Sequence, residues 1–214
     1  MRRVSPQIGD RADQPSGERG FSLIEVLVVV AILGLISVIM TVAVSKTLKR
    51  QRLETAAHEI QSFVERAYVN SASFGQAVFV QVSDPAADGS RTMNMFVDAA
   101  PGDGVYDSAT DTRIGTQPIT SDIQLVTGST TWPKPTGQTY YLLECNTLGQ
   151  AMTAPLKATP QVDYPVRLDA PVALALTHKE MASGNLTPNM RFDVMVNVLW
   201  RPNIVRYRNG TKVP

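Results

Sequence analysis

Hydrophobic and polar positions divide the chain into three regimes. Residues 1–20, MRRVSPQIGDRADQPSGERG, hold no apolar run, carry Arg2, Arg3, Arg11 and Arg19, and are broken by Pro6, Pro15 and three glycines. Nothing in them can pack, and they read as a flexible leader on the cytoplasmic side. Residues 21–45 are almost wholly apolar. From Val26 to Val44 there are 19 residues without a charge, about 28 Å of helix, close to the hydrocarbon thickness of a bilayer. Lys46, Lys49, Arg50 and Arg52 follow. Beyond them the pattern becomes one-sided. Leu53, Ala57, Ile60, Val64, Ala67 and Tyr68 recur at i, i+3, i+4, i+7, with charged residues on the other faces. No proline interrupts Phe21 to Pro85, so the pattern predicts one helix from Ser22 to Ser73, about 75–80 Å long. Its second half presents an apolar stripe that must cover a sheet. Arg50 and Glu54 stand at i, i+4 as an ion pair, and His58 lies in a polar stretch, solvated.

Gly75 is a helix stop, and after it the period changes to two. Val78, Val80 and Val82 alternate with their neighbours. After the turn residues Asp84 to Gly89, so do Met93, Met95 and Val97, which predicts a hairpin with a long loop. Further strands are expected at 121–127, 138–145, 150–156 and 164–177, with a turn at 146–149 and an interruption at Pro171. A strand from Phe192 to Trp200 is the clearest, and a last one at 203–208 ends at the tight-turn signal Asn209-Gly210. No helix-length pattern separates these strands, so the sheet is expected to be largely antiparallel. The fold class is α+β, with a long N-terminal helix packed on one sheet. The domain reading is a leader at 1–20, a transmembrane half of the helix at 21–45, an amphipathic half at 46–74 and a β-rich periplasmic domain at 75–214.

Composition narrows the function. With Lys plus Arg at 20 against Asp plus Glu at 19, the net charge is +1, so no global basic field collects nucleic acid. A single cysteine, Cys145, excludes an internal disulfide, and two histidines, His58 and His178, leave no His-rich metal or relay site. There is no HExxH, GxSxG or phosphate-binding loop, so the chain does not read as an enzyme and no cofactor is expected.

The apolar block admits three readings. A secretory signal peptide has a shorter apolar core, of roughly 7–15 residues, and a small-x-small cleavage site, and the residues after Val44 offer none. A plain membrane anchor fits the length but leaves Glu25 unexplained, because an ionisable group in such a segment is costly and usually functional. The third reading accounts for Glu25. Gly20-Phe21-Ser22-Leu23-Ile24-Glu25 running into Val26–Gly34 resembles the processing signal of type IV prepilins and pseudopilins.

That resemblance implies cleavage by a membrane prepilin peptidase between Gly20 and Phe21, N-methylation of Phe21, and an assembly role for Glu25. Cleavage creates an ammonium at Phe21. An i+4 carboxylate reaches the amine of its own chain or of a neighbour, and pairing between subunits offsets the burial of both charges only in register. The implied partners are other pilin or pseudopilin subunits, the peptidase and an inner-membrane assembly platform, with the chain in the bacterial inner membrane before extraction into a filament. Ala57-x-x-Ile60 through Arg66-Ala67, the stretch Leu143–Gln150 and the closing Asn209-Gly210 are similar to the H-type minor pseudopilin branch of type II secretion and its type IV pilus relatives. The function so implied is that of a structural minor subunit. The alternative is a permanently anchored periplasmic binding module, for DNA or another ligand, that never enters a filament.

Three further features carry candidate chemistry. The loop from Asp98 to Asp111, with Asp103 and Asp107, offers oxygens to calcium, but its spacing is not that of an EF-hand and solvated turn chemistry explains it; no metal site is assigned. Arg201, Arg206, Arg208 and Lys212 could meet phosphates, yet a charged edge that resists aggregation explains them better, and nucleic acid is not an expected partner. Cys145 sits in a strand pattern as a small buried hydrophobe.

Overall fold

A computed structural model describes residues 21–99, 104–126, 128–154, 166–182 and 190–213. The expected leader, Gly20 included, lies outside the described residues. So do Asp103 and the segments 155–165 and 183–189. The chain divides into two compact units, with a boundary between Ser45 and Lys46.

The fold is α+β. Helix α1 runs Leu23–Phe74 and ends where expected. Gly75 takes φ +64°, and its N–H donates to the Ser71 carbonyl at 2.9 Å, a left-handed stop that glycine adopts without strain. The strands are β1 (Val78–Val82), β2 (Arg91–Val97), β3 (Thr112–Ile119), β4 (Ile123–Leu125), β5 (Tyr141–Cys145), β6 (Ala151–Thr153), β7 (Val172–His178), β8 (Met190–Val196), β9 (Pro202–Arg208) and β10 (Thr211–Val213). A short helix, α2 (Lys179–Ala182), follows β7.

The expectation of one sheet needs correction. There are two five-stranded sheets, ordered β3-β2-β1-β5-β6 and β10-β9-β8-β7-β4, and every strand pair is antiparallel. The chain changes sheets between β3 and β4, where Ile123–Leu125 pairs with β7 rather than with β3. Strands β5 and β7 are buried along their whole length. A strand buried on both faces loses the polar-out alternation that marks a one-sided sheet.

Within the second unit, one core joins α1 to both sheets. Leu53, Ala57, Ile60, Val64 and Ala67 are buried as the stripe required, and Phe63 joins them. Val78, Val80, Val82, Met93 and Met95 meet them from the first sheet, and Leu174, Leu176, Phe192, Val194 and Val196 from the second. Tyr68 is half-exposed and lies outside this core. Glu54 does not serve Arg50; its carboxylate accepts from Arg206 of β9, a tertiary pair in place of a local one.

Three strand expectations also change. Strand β3 escaped notice because it is an edge strand with mostly exposed residues, Gly115 and Pro118; an edge tolerates proline and needs no apolar alternation. Strand β8 stops at Val196 because the Asn197 side chain accepts from the N–H groups of Leu199 (3.1 Å) and Arg201 (2.8 Å), which folds the chain into a turn. Trp200 therefore sits in a turn at φ +51°, and its indole N–H donates to the Val64 carbonyl of α1 at 2.7 Å. Beyond Asn209 and Gly210, both at positive φ, the chain continues into β10. Two positive angles are the signature of the tight hairpin turn that Asn-Gly favours.

A second, smaller core lies on the other face of the first sheet, made by Ala77, Phe79, Phe96, Tyr106, Leu142 and Ala154. Tyr106 contacts Phe79 (centroids 5.6 Å) and Phe96 (5.2 Å) edge to face, the arrangement aromatic quadrupoles favour. Tyr106, from the aspartate-rich loop, thus covers part of a sheet face.

Candidate functional site

The first turn of α1 builds the candidate processing site. The Ser22 carbonyl accepts from the N–H groups of Glu25 (3.0 Å) and Val26 (3.2 Å), so Ser22 is the residue that opens the helix. Glu25 lies in the first turn, where a carboxylate meets the positive end of the helix dipole. Phe21 stands just before the helix, 82 % exposed, and Leu23 is 83 % exposed. In the uncut chain Phe21 N is a peptide amide; only cleavage makes it an ammonium. Phe21 and Glu25 are four residues apart at the helix mouth, and both side chains are exposed.

Downstream, the described side chains at 26–38, 40 and 44 are also exposed, on every face of the helix. They are apolar apart from the hydroxyl of Ser37, which turns back to donate to the Leu33 carbonyl at 2.7 Å, so its polarity is satisfied within the helix. Among the described residues, no helix is long and apolar enough to cross a membrane. The stretch from Val26 to Val44 includes Ile39 and residues 41–43, whose side chains lie outside the described residues.

The other features fall apart as sites. Asp98 and Asp111 are buried, and the loop's carboxylates accept from its own backbone: Gly104 N–H to Asp98 Oδ2 (2.8 Å), Ala99 N–H to Asp111 Oδ1 (3.1 Å), Asp107 N–H to Asp111 Oδ2 (2.8 Å) and Ala109 N–H to Asp107 Oδ1 (2.9 Å). Among the described residues no group of three or more acidic, histidine or cysteine side chains is arranged to hold a metal. Arg206 is engaged by Glu54 and lies 5.7 Å from the Phe192 ring, while Arg201, Arg208 and Lys212 are exposed around the β9–β10 edge. Cys145 is fully buried and unpaired in a disulfide; burial pushes its thiol up to about 12, which leaves it inert as a nucleophile.

One group escaped sequence reasoning. In the sequence Glu144 is only a member of a strand, yet in the fold it is 3 % exposed and its Oε2 has no hydrogen-bond partner. Burial first, and the Asp98 charge second, push its carboxyl up to about 8. The signal was present as a single acid inside Tyr-Leu-Leu-Glu-Cys, on the same face of β5 as the buried Leu142.

Residues 15–41 match the prokaryotic N-terminal methylation motif. This is the type IV pilin and pseudopilin signal, and it spans the expected cleavage position, Phe21 and Glu25. No curated protein and no solved structure matches the chain. The signal implies processing by prepilin peptidase, membrane anchoring and assembly with other pilins. The long N-terminal helix followed by antiparallel sheets is consistent with the pilin-like fold that the signal implies.

Proposed function

We propose that this chain is a structural minor subunit of a type II secretion pseudopilus or a type IV pilus. It is made as an inner-membrane precursor with its sheet domain in the periplasm. Prepilin peptidase cuts between Gly20 and Phe21, Phe21 is methylated, and an inner-membrane assembly platform extracts the subunit into a filament. The H-type minor branch is the subfamily favoured by the stretch Leu143–Gln150 and the Asn209-Gly210 turn.

One observation carries the reading: the methylation motif coincides with a helix whose apolar side chains are exposed on every face. A helix apolar all round is stable only when lipid or other helices cover it. The subunit meets both in turn, first as a membrane segment and then in a filament core. Lipid accepts the apolar faces without regard to register. A filament core must also place each Phe21 ammonium against a carboxylate, and Glu25 supplies that condition.

The test compares Glu25→Ala, Glu25→Gln and Glu25→Asp in cells that assemble the filament. Both uncharged variants should be cleaved and held in the membrane but absent from the sheared filament fraction, with Glu25→Asp partly restoring incorporation. Incorporation of Glu25→Ala at the wild-type level would remove the registry role.

A further inference from the structure

The first sheet carries a feature that processing and assembly do not use. At the C-terminal end of α1 a cleft of about 490 Å³ opens between Gly75, Ala77, Asp98, Gly104, Glu144 and Asn146. Two of these are carboxylates, each at least nine-tenths buried: Glu144 at 3 % and Asp98 at 4 % exposure. Among the described residues, those lining the cleft include no lysine, arginine or histidine. The last turn of α1 has no basic residue either, so the negative end of the helix dipole adds to the same field.

Glu144 is the decisive group. Its Oε2 is buried without a hydrogen-bond partner, and the residue lines the cleft. The other deeply buried strand acid shows what a structural carboxylate looks like here. Asp193 is held by Arg191 two residues away, with Nε to Oδ1 at 2.8 Å and Nη2 to Oδ2 at 3.1 Å, and the guanidinium lies over the Tyr207 ring. Buried charges are retained when paired or bound to a cation. Asp193 has its partner built in. Glu144 shares with Asp98 the lining of a cleft large enough for a cation and its waters.

We propose that this cleft is a cation-binding site, in which Glu144 and Asp98 hold a small cation that prefers oxygen ligands. Two carboxylates lining one cleft, with the Asp98 Oδ2 also accepting from the Gly104 N–H, suit a divalent ion that keeps several waters, and equally the ammonium group of a small polyamine; the shared chemistry is a compact positive charge. The site lies wholly on the sheet domain and does not depend on processing at Gly20.

The test uses the full chain in detergent, freed of metal with a chelator and then dialysed. Calcium, magnesium and spermidine are titrated separately, followed by calorimetry and by the shift of the thermal transition. At least one probe should bind and raise the transition. Glu144→Gln and Asp98→Asn should each weaken that probe by about tenfold or more, the scale for losing one charged partner of a buried pair. Glu65→Gln, on the exposed face of α1, should leave it unchanged. Calcium or magnesium responding assigns a metal, and spermidine responding assigns an organic amine. Glu144→Gln nearly preserves shape, and its own thermal transition shows that it folds. Binding by none of the probes, or binding that survives both variants, overturns the proposal.

Discussion

Glu144 makes the stability of the sheet domain depend on pH in a way that one substitution removes. In the chelated protein, burial and the Asp98 charge raise the Glu144 carboxyl from its ordinary 4.5 to about 8. The folded chain therefore holds a proton that the unfolded chain releases as pH rises above 4.5. Stability is fully present below that value, falls as pH rises towards about 8, and levels off beyond. At 1.36 kcal/mol per pH unit, the span corresponds to about 5 kcal/mol as a ceiling, because local opening of the cleft limits how much charge burial the protein tolerates. Glu144→Gln keeps the shape and removes the titration.

Urea unfolding at intervals from about pH 5 to about pH 9, in chelator, measures the difference. Tryptophan fluorescence reads it well, since Trp132 and Trp200 are both buried in the second unit. Other groups titrate too. Burial lowers His178, which makes stability rise with pH near neutrality, opposite in sign. The quantity to follow is therefore the gap between wild type and variant. It should be small at the acid end and grow to several kcal/mol in favour of Glu144→Gln above about pH 8. Parallel curves across the range would refute the argument that Glu144 is buried and unpaired.

Three packing predictions are checked by the same denaturation assay at fixed pH. Phe63→Ala opens a hole where α1 meets the sheets and should cost about 3–5 kcal/mol; Tyr68→Ala, at a half-exposed position, should cost far less. Trp200→Phe removes the indole donor to the Val64 carbonyl and should cost about 1–3 kcal/mol. Gly149→Ala meets two obstacles, a φ of +71° and a Cβ that would lie 2.3 Å from Tyr68 Cε2. It should cost about 1–2 kcal/mol for the backbone alone, and adding Tyr68→Ala should relieve only the steric part.

The sequence was most legible where one periodicity ruled. The stripe Leu53-Ala57-Ile60-Val64-Ala67 is buried as read, and Gly75 stops α1 as its lack of a Cβ allows. The β1–β2 hairpin is visible because both strands alternate. Legibility failed where neighbours from elsewhere in the chain decide. Strand β3 is an edge and needs no alternation, so Thr112–Ile119 carried no signal. The run Phe192 to Trp200 looked like one strand because Val198 and Trp200 kept the period, but the Asn197 side chain folds that backbone into a turn. Glu54 chose Arg206 over Arg50, a choice only the fold can present. Two sheets looked like one because β4 is three residues long and changes partners without a change in pattern. In the N-terminal segment, Gly20-Phe21 with Glu25 before a charge-free run was recognisable without any tertiary information. Glu144 was not, because a lone acid in a strand has no meaning until both faces of the sheet are covered.

The central claim is that the chain becomes a filament subunit through cleavage at Gly20. Mass spectrometry of the N-terminal peptide from membranes, with and without the prepilin peptidase, tests it most directly. The account predicts a mature chain that begins at N-methylated Phe21 when the peptidase is present, and the uncut precursor when it is absent. A chain that still carries residues 1–20 in the presence of active peptidase would contradict it, and would leave Glu25 in an anchoring helix with no charge to meet.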